Sequence, residues 1–322
     1  MAKLTVALLA GGVSSEREVS LNSGHQVFAA LDKARYEVLR FDPATDLPLL
    51  VAQADRIDVA LILLHGPCGE DGTIQGLLDL LDIAYQGSGV LGSALAMDKL
   101  VAKQLFEKAG LTVPAYRVAR WGQVLDPQTF VTDLGLPLVI KPAGAGSSVG
   151  MSIVRDTVDL PAALDLAFAH DTTVLVEQYI AGREITGAVL GNDDLQALPL
   201  IEIIPSEGHA FFDYHAKYTP GASHEICPAP IDPAATDQCQ ACALAAHRAL
   251  NCLGYSRTDM MLFQGKVYVL ETNTIPGMTA TSLLPQAAAK AGLSFSQLLD
   301  RLITLGIEAH GRRRARCRKG RA

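Results

Sequence analysis

Glu271-Thr-Asn-Thr-Ile-Pro-Gly-Met-Thr279 follows a strand-like run, Lys266 to Leu270, and places a carboxylate and an amide oxygen two residues apart at its end. Side chains two apart on a strand share a face, so Glu271 and Asn273 can grip one cation. A second strand-like run, Ser256 to Phe263, is separated from the first only by Gln264-Gly265, and a β-hairpin folds its Asp259 back towards Glu271. Three hard oxygen ligands with no His or Cys suit Mg²⁺, which completes its shell with water and phosphate oxygens. That points to nucleotide chemistry; the plainer alternative is an acidic strand end with solvated carboxylates.

The register decides between them. A strict two-residue loop at Gln264-Gly265 pairs Phe263 with Lys266 and turns Asp259 and Glu271 to opposite faces. A shared face therefore requires either a three-residue loop, with Gly265 in the left-handed region, or a bulge.

The chain has 322 residues, beyond the usual size of one domain, so two or three domains are expected. Nearly half the residues are hydrophobic and aromatics are few, which fits a soluble α/β protein. No apolar run approaches the roughly 20 residues needed to span a bilayer. The first apolar run is short and flows into Gly11-Gly12, as a buried strand would, so the expected location is the cytoplasm. Cys239-x-x-Cys242 lies in a helix-like stretch. The next candidate ligand, His247, stands eight residues from Cys239, about 12 Å along a helix axis. Zinc bonds of about 2.3 Å do not bridge that span, so free thiols are expected. The formal charge is −7, but the last eleven residues carry seven basic groups and no acidic one, so the rest bears −14. An acidic body argues against a nucleic-acid partner. The basic end, 312–322, reads as a solvated, disordered tail.

Along the chain, strands at 4–9, 36–41 and 58–64 alternate with helices near 16–31 and 73–81, a parallel βαβ pattern. One helix follows from Ser93 to Ala109, stopped by Gly110. Strands at 136–141, 151–154 and 174–179 with a helix near 159–169 suggest a compact α+β unit. Beyond Arg183 come strands at 184–190, 198–204, 257–263 and 266–271, and helices at 234–250, 282–292 and 295–308. Residues 207–230 show no periodicity and are rich in Phe, Tyr, His and Gly; a loop of that length inside a domain is usually functional.

Leu136 to Gly150 is a strand ending in Lys141, followed by a glycine-rich loop with Gly146, Ser147 and Ser148. Its backbone N–H groups and hydroxyls can surround anionic oxygens. It is neither a P-loop nor a dinucleotide fingerprint, because strand rather than helix follows it. A hairpin of this kind closes over phosphates as a flap, or is an ordinary mobile hairpin. Glu177-Gln178-Tyr179-Ile180 and Glu184 could meet an adenine and a ribose, although a plain strand and turn explains them as well.

Ser15-x-x-Glu18 has capping-box spacing, which leaves Glu16 without a structural role. Both Glu16 and His65 follow strands at the carboxyl edge where open α/β sheets bind ligands, and Glu16 could hold an ammonium group. Lys217, in the long loop, and Arg257 are fixed cations beside the proposed phosphate and metal site, suited to stabilising charge in phosphoryl and acyl transfer.

Jointly these residues resemble the ATP-grasp superfamily, and within it the D-alanine–D-alanine ligase family. The motifs are Glu16-Arg-Glu-Val-Ser20, His65-Gly-x-x-Gly-Glu-Asp-Gly72, Met97-Asp-Lys99, Lys141-Pro with Gly146-Ser-Ser-Val-Gly150, Ala216-Lys-Tyr218, Arg257-x-Asp259 and Glu271-x-Asn273-x-x-Pro-Gly-Met-Thr279, in order over nearly the whole chain. The resemblance implies an α/β fold of three domains, α+β in the middle one: 1–90, 91–182 and 183–311, with 312–322 as a tail. It implies ATP held by Lys99, Lys141, Gly146, Ser147, Ser148, Glu177–Ile180 and Glu184. Asp259, Glu271 and Asn273 would hold two Mg²⁺ ions, with Mn²⁺ as a substitute. Glu16 would bind the first D-alanine's ammonium, with His65 nearby. Glu16, Ser147 and Tyr218 would form one hydrogen-bonded set. Arg257 and the Gly277 N–H would face the tetrahedral intermediate. Lys217 and Ser282 would serve the second substrate.

The implied activity is ATP-dependent ligation of two D-alanines through an acyl phosphate, for peptidoglycan synthesis, in a homodimer with neither membrane insertion nor a nucleic-acid partner. Another carboxylate–amine or D-alanine–D-lactate ligase is the alternative, and a nucleotide-binding module without turnover is a third reading. Tyr218 favours an amine acceptor by analogy.

Overall fold

The structure, a computed structural model, describes residues 3–124, 126–146, 149–206 and 223–319. Ser147, Ser148, Lys217 and Tyr218 lie outside the described residues.

The chain begins with β1 (Leu4–Leu9), α1 (Arg17–Ala30), β2 (Tyr36–Phe41), α2 (Leu47–Ala52), β3 (Val59–Ile62), α3 (Thr73–Leu80) and β4 (Ala84–Tyr85). The strands form a parallel sheet in the order β2-β1-β3-β4. Val6 to Leu9 and Val59 to Ile62 are buried without alternation because helices cover both faces. The carboxyl ends of β1 and β3 run out into Gly11-Gly12 and His65. The capping box does not form: α1 is capped by Glu16 rather than Ser15, with no side-chain cap bond, while Ser14 Oγ accepts from the Glu16 N–H at 3.2 Å.

The helix expected over Ser93 to Ala109 is two helices, α4 (Val90–Met97) and α5 (Lys99–Lys108). Asp98 breaks it. Its backbone is extended, and its side chain accepts from the N–H groups of Leu100 and Val101, opening a new helix at Lys99. Next come β5 (Tyr116–Arg120), α6 (Pro127–Leu134), β6 (Leu138–Pro142), β7 (Ser152–Val154), α7 (Leu160–Phe168) and β8 (Thr173–Gln178), an antiparallel sheet in the order β5-β8-β6-β7. The sequence reading had neither β5 nor α6. Of β5 only Ala119 is fully buried, and α6 buries only Phe130 and Leu134, so neither shows a clear period.

The third sheet takes β9 (Arg183–Gly191), β10 (Gln196–Ala197), β11 (Ile201–Pro205), β12 (Ser223–Ile226), β13 (Gly254–Phe263) and β14 (Lys266–Asn273) in the order β12-β11-β9-β13-β14, with β10 on β9. β12 falls in the stretch expected to be without structure; it is a short edge strand with polar residues along it. Between β12 and β13, α8 (Pro233–Ala249) lays Cys239, Ala243 and Ala246 on the sheet. The five described cysteines are free thiols. The chain ends with α9 (Leu283–Lys290) and α10 (Phe295–Lys319).

The β13–β14 hairpin resolves the register question. Gln264 and Gly265, both at positive φ, form a two-residue turn, and Phe263 pairs with Lys266. Four residues on, the pairing slips: Met260 faces Val269, but Asp259 faces Glu271, so Leu270 is the extra residue of a bulge. The expected alternative, a three-residue loop, is not used. Val267, Val269 and Thr272 are buried, and the first two join the core under α8. An unbulged strand would send Glu271 into that core, where an unpaired carboxylate is costly.

The basic end is not a disordered tail over its described part. α10 runs on to Lys319, and Arg312, Arg313 and Arg314 pair with Asp193, Asp79 and Asp82. Arg313 also donates to Tyr85 Oη at 3.0 Å and stacks on that ring. No described helix is long and apolar enough to cross a membrane.

Candidate active site

A cleft of about 560 Å³ lies between the second and third sheets. Its walls hold Lys99, Lys141, Glu177, Gln178, Tyr179, Ile180, Glu184, Asp259 and Glu271. A smaller pocket of about 80 Å³ joins it at Lys99 and Glu271 and holds Glu16, His65, Gly146, Arg257, Asn273 and Gly277. The described residues singled out in the sequence thus converge on two connected spaces. Ser282 lies just beneath: a Cβ on Gly277 would stand 3.0 Å from its Oγ, which accepts from the Thr279 N–H at 3.1 Å.

The hairpin supplies the cation-binding end. Arg257, Asp259 and Met261 point to the cleft side of β13, while Met260 and Leu262 pack into the core. Asp259 faces Glu271, and Arg257 faces Asn273. Arg257 donates to both Asp259 oxygens, at 2.9 and 2.8 Å, Thr186 donates to one at 2.6 Å, and Asn273 Nδ2 reaches the other at 3.3 Å. Lys99 Nζ stands 3.7 Å from Glu271 Oε2 and donates to the Ala145 carbonyl at the foot of the glycine loop. Among the described residues no three His, Cys, Asp or Glu side chains converge as a metal cluster. The donor set is two carboxylates and an amide oxygen, the oxygen chemistry Mg²⁺ favours.

Elsewhere in the cleft wall, Glu177 Oε1 lies 3.1 Å from Lys141 Nζ and 3.2 Å from Lys103 Nζ. Burial raises the Glu177 pKa, but the two ammoniums outweigh it and hold the carboxyl below its ordinary value. Burial also pulls Lys103 below the usual lysine value, against the attraction of Glu177. Arg183 forms a two-pronged pair with Glu202, at 2.6 and 2.7 Å, on the cleft's rim.

In the smaller pocket, Glu16 is buried, and its Oε2 lies 3.4 Å from where a Cβ on Gly146 would stand and 3.5 Å from one on Gly66. The first sheet's loop at Gly66 and the flap at Gly146 thus both come close to this carboxylate. His65 is buried and bonded to the Ile275 backbone; desolvation lowers its pKa, with Glu16 opposing. Its Nε2 has no partner among the described residues. Glu70 accepts from the Gly66 N–H at 2.8 Å, and desolvation pushes its pKa up to about 8.

Sequence reasoning missed Glu70, Lys103 and the Arg183–Glu202 pair. Only Lys103 carried a signal, standing one helical turn after Lys99. Glu70 stands in the His65–Gly72 motif, where ordinary turn chemistry before a helix accounts for it.

The family model described as D-ala D-ala ligase C-terminus matches residues 105–304, and its N-terminal counterpart matches 44–88. The chain belongs to the D-alanine–D-alanine ligase family. A D-alanine–D-alanine ligase of Syntrophobacter fumaroxidans is 62% identical over 306 residues, 95% of this chain and 98% of that one. The crystal structure of the Bacillus anthracis D-alanine–D-alanine ligase complexed with ATP superposes with a TM-score of 0.85 at 35% identity, covering 96% of this chain and 99% of that one. The VanG D-Ala:D-Ser ligase of Enterococcus faecalis gives 0.79 at 34% identity, covering 94% and 99%. The three-sheet α/β architecture is the ATP-grasp fold of this ligase family.

Proposed function

We propose that this chain joins two D-alanines at the expense of ATP. The single observation that carries the reading is the meeting of the two spaces at Lys99 and Glu271, so that a nucleotide's terminal phosphate and a small amino acid would share one wall. The family's name and the ATP-bound Bacillus anthracis relative support it.

A carboxylate is a poor acyl donor because oxide does not leave. In the proposed reaction an oxygen of the first D-alanine's carboxylate attacks the γ-phosphorus of ATP and ADP departs. The second D-alanine's amine then attacks the acyl carbon, loses a proton, and phosphate leaves. Glu16 holds the first ammonium beside His65. Arg257 and the Gly277 N–H face the oxygen that gains charge. Lys99 and Lys141 attract phosphates, and Glu177 to Ile180 with Glu184 take base and ribose. Asp259, Glu271 and Asn273 would hold Mg²⁺, which when bound neutralises charge on the transferring phosphoryl group. Ser147, Ser148, Lys217, Tyr218 and Ser282 keep the roles the resemblance implies. Water would destroy the acyl phosphate, so closure of the flap and the long loop is part of the proposal.

We assign the sheets to units at 1–90, 91–182 and 183–311, and take the working form to be a cytoplasmic homodimer supplying dipeptide for peptidoglycan. A second reading has the same donor chemistry but a different acceptor, as the name of the VanG D-Ala:D-Ser relative suggests for that protein. The test is Mg²⁺-dependent phosphate release from ATP with D-alanine, L-alanine, D-serine or D-lactate. Release with D-alanine alone, accompanied by dipeptide, is expected. Release only when D-alanine is joined by another acceptor would select the second reading, and no release despite ATP binding would sink both.

A further inference from the structure

Lys103 is a lysine in an unexpected place. It is 1% exposed and does not line the cleft; its ammonium sits behind the wall, 3.2 Å from Glu177 Oε1 and 5.3 Å from the Tyr116 ring centroid. Glu177 and Lys141 do line the cleft, and the same Glu177 oxygen takes Lys141 at 3.1 Å. Two ammoniums therefore share one carboxylate oxygen, and the cluster carries one surplus positive charge. A buried ammonium is expensive, and an apolar side chain of similar volume is often at least as stable in its place. Folding alone gives no reason for Lys103.

Helix geometry supplies one. Lys99 and Lys103 are four residues apart on α5, hence on one face about 6 Å apart along the axis. Lys99 reaches Glu271 and the Ala145 carbonyl of the glycine loop, while Lys103 reaches Glu177. Without Lys103, Glu177 and Lys141 would be a one-to-one pair of zero net charge, and Lys141 would have little field left for an anion.

We infer that Lys103 is a positioning residue of the nucleotide site: by sharing Glu177 from behind the wall it leaves the Lys141 ammonium available to the phosphates of ATP. This rests on the ATP site proposed above and goes beyond it by giving a role to a residue that touches no ligand.

The experiment compares binding of ATP and of adenosine at fixed salt, so that their ratio isolates the phosphate contribution. Lys103→Met is expected to fold with unchanged or higher Tm. It should lose about tenfold in ATP affinity, the scale of one partly screened unit charge, with adenosine little changed. Lys103→Met combined with Glu177→Gln restores the surplus charge and should recover the ATP-to-adenosine ratio even though the base contact suffers. If Lys103→Met does not fold, Lys103→Gln, neutral and able to donate to Glu177, poses the same question. Equal loss for ATP and adenosine, a lowered Tm with unchanged ATP affinity, or a double variant no better than Lys103→Met in the ratio would each overturn the inference. Failure of the unaltered chain to bind ATP would instead overturn the nucleotide reading, and the role of Lys103 with it.

Discussion

Asp259 and Glu271 face each other across β13 and β14 because Leu270 is bulged out of the ladder. The turn at Gln264-Gly265 on its own sets the opposite register. The bulge reconciles two demands on one strand: Val267 and Val269 into the core beneath α8, and Glu271 and Asn273 into the cleft.

Deleting Leu270 should therefore leave a folded protein with phosphate release within about tenfold of the parent, since Val269 stays in the core and Glu271, now beside it, still faces Asp259 from the cleft side. An extra glycine after Gly265, at the hairpin tip, should be nearly neutral. Circular dichroism and the phosphate assay on the two variants check this; a folded deletion variant below about one-hundredth of the parent rate would show that facing Asp259 is not what places Glu271.

Arg257→Ala removes the guanidinium that neutralises Asp259, whose side chain is 7% exposed. Breaking a buried pair from one side costs about 3 kcal/mol. The proposed Mg²⁺ ion would replace part of the lost charge and would be held by Asp259 only in the folded state, so it should stabilise this variant more than the parent. Urea titrations with and without Mg²⁺ measure the difference; equal Mg²⁺ effects would contradict it.

Glu70 gives a pH signature. Its folded-state pKa of about 8 lies above the ordinary carboxyl value, so the folded chain holds a proton there that the unfolded chain has released. That contribution is complete below the unfolded pKa and is lost as pH rises towards about 8. Glu16, Glu271 and Arg257 are the charges that act on it. Glu70→Gln should thus gain Tm relative to the parent progressively from pH 5 to pH 9, and a constant difference across that range would refute the assignment.

Removing the end of α10 tests the arginine contacts. A chain stopped after Gly311 loses three ion pairs and the Arg313–Tyr85 contact. These groups are partly exposed, so the cost is about 1–2 kcal/mol, and it should shrink in high salt. Thermal melts at two ionic strengths are sufficient; a salt-independent loss would point to packing instead.

Much of this was legible in the chain. Glu271 and Asn273 could be read because strand period is strict, and Glu16 and His65 because strands in open sheets end where ligands bind. What escaped depended on partners distant in sequence. The arginines of α10 look solvated until Asp79, Asp82 and Asp193, more than a hundred residues earlier, are brought beside them. Lys103 looks like any helix-surface lysine until Glu177 is placed next to it. The break at Asp98 was hidden for the opposite reason: its cap is local, but Ser93 to Ala109 is rich enough in helix formers to mask it.

That break also governs where the gene can change length. Asp98 fixes the first residue of α5, and Lys99 and Lys103 are mounted one turn apart on the rod it starts. A codon gained or lost before Asp98 is taken up at the junction with α4 and leaves both lysines in place. One gained inside α5 rotates everything after it by about 100° and turns Lys103 away from Glu177. Insertions and deletions among descendants of this sequence should accumulate ahead of Asp98 and be absent from the helix turn that follows it.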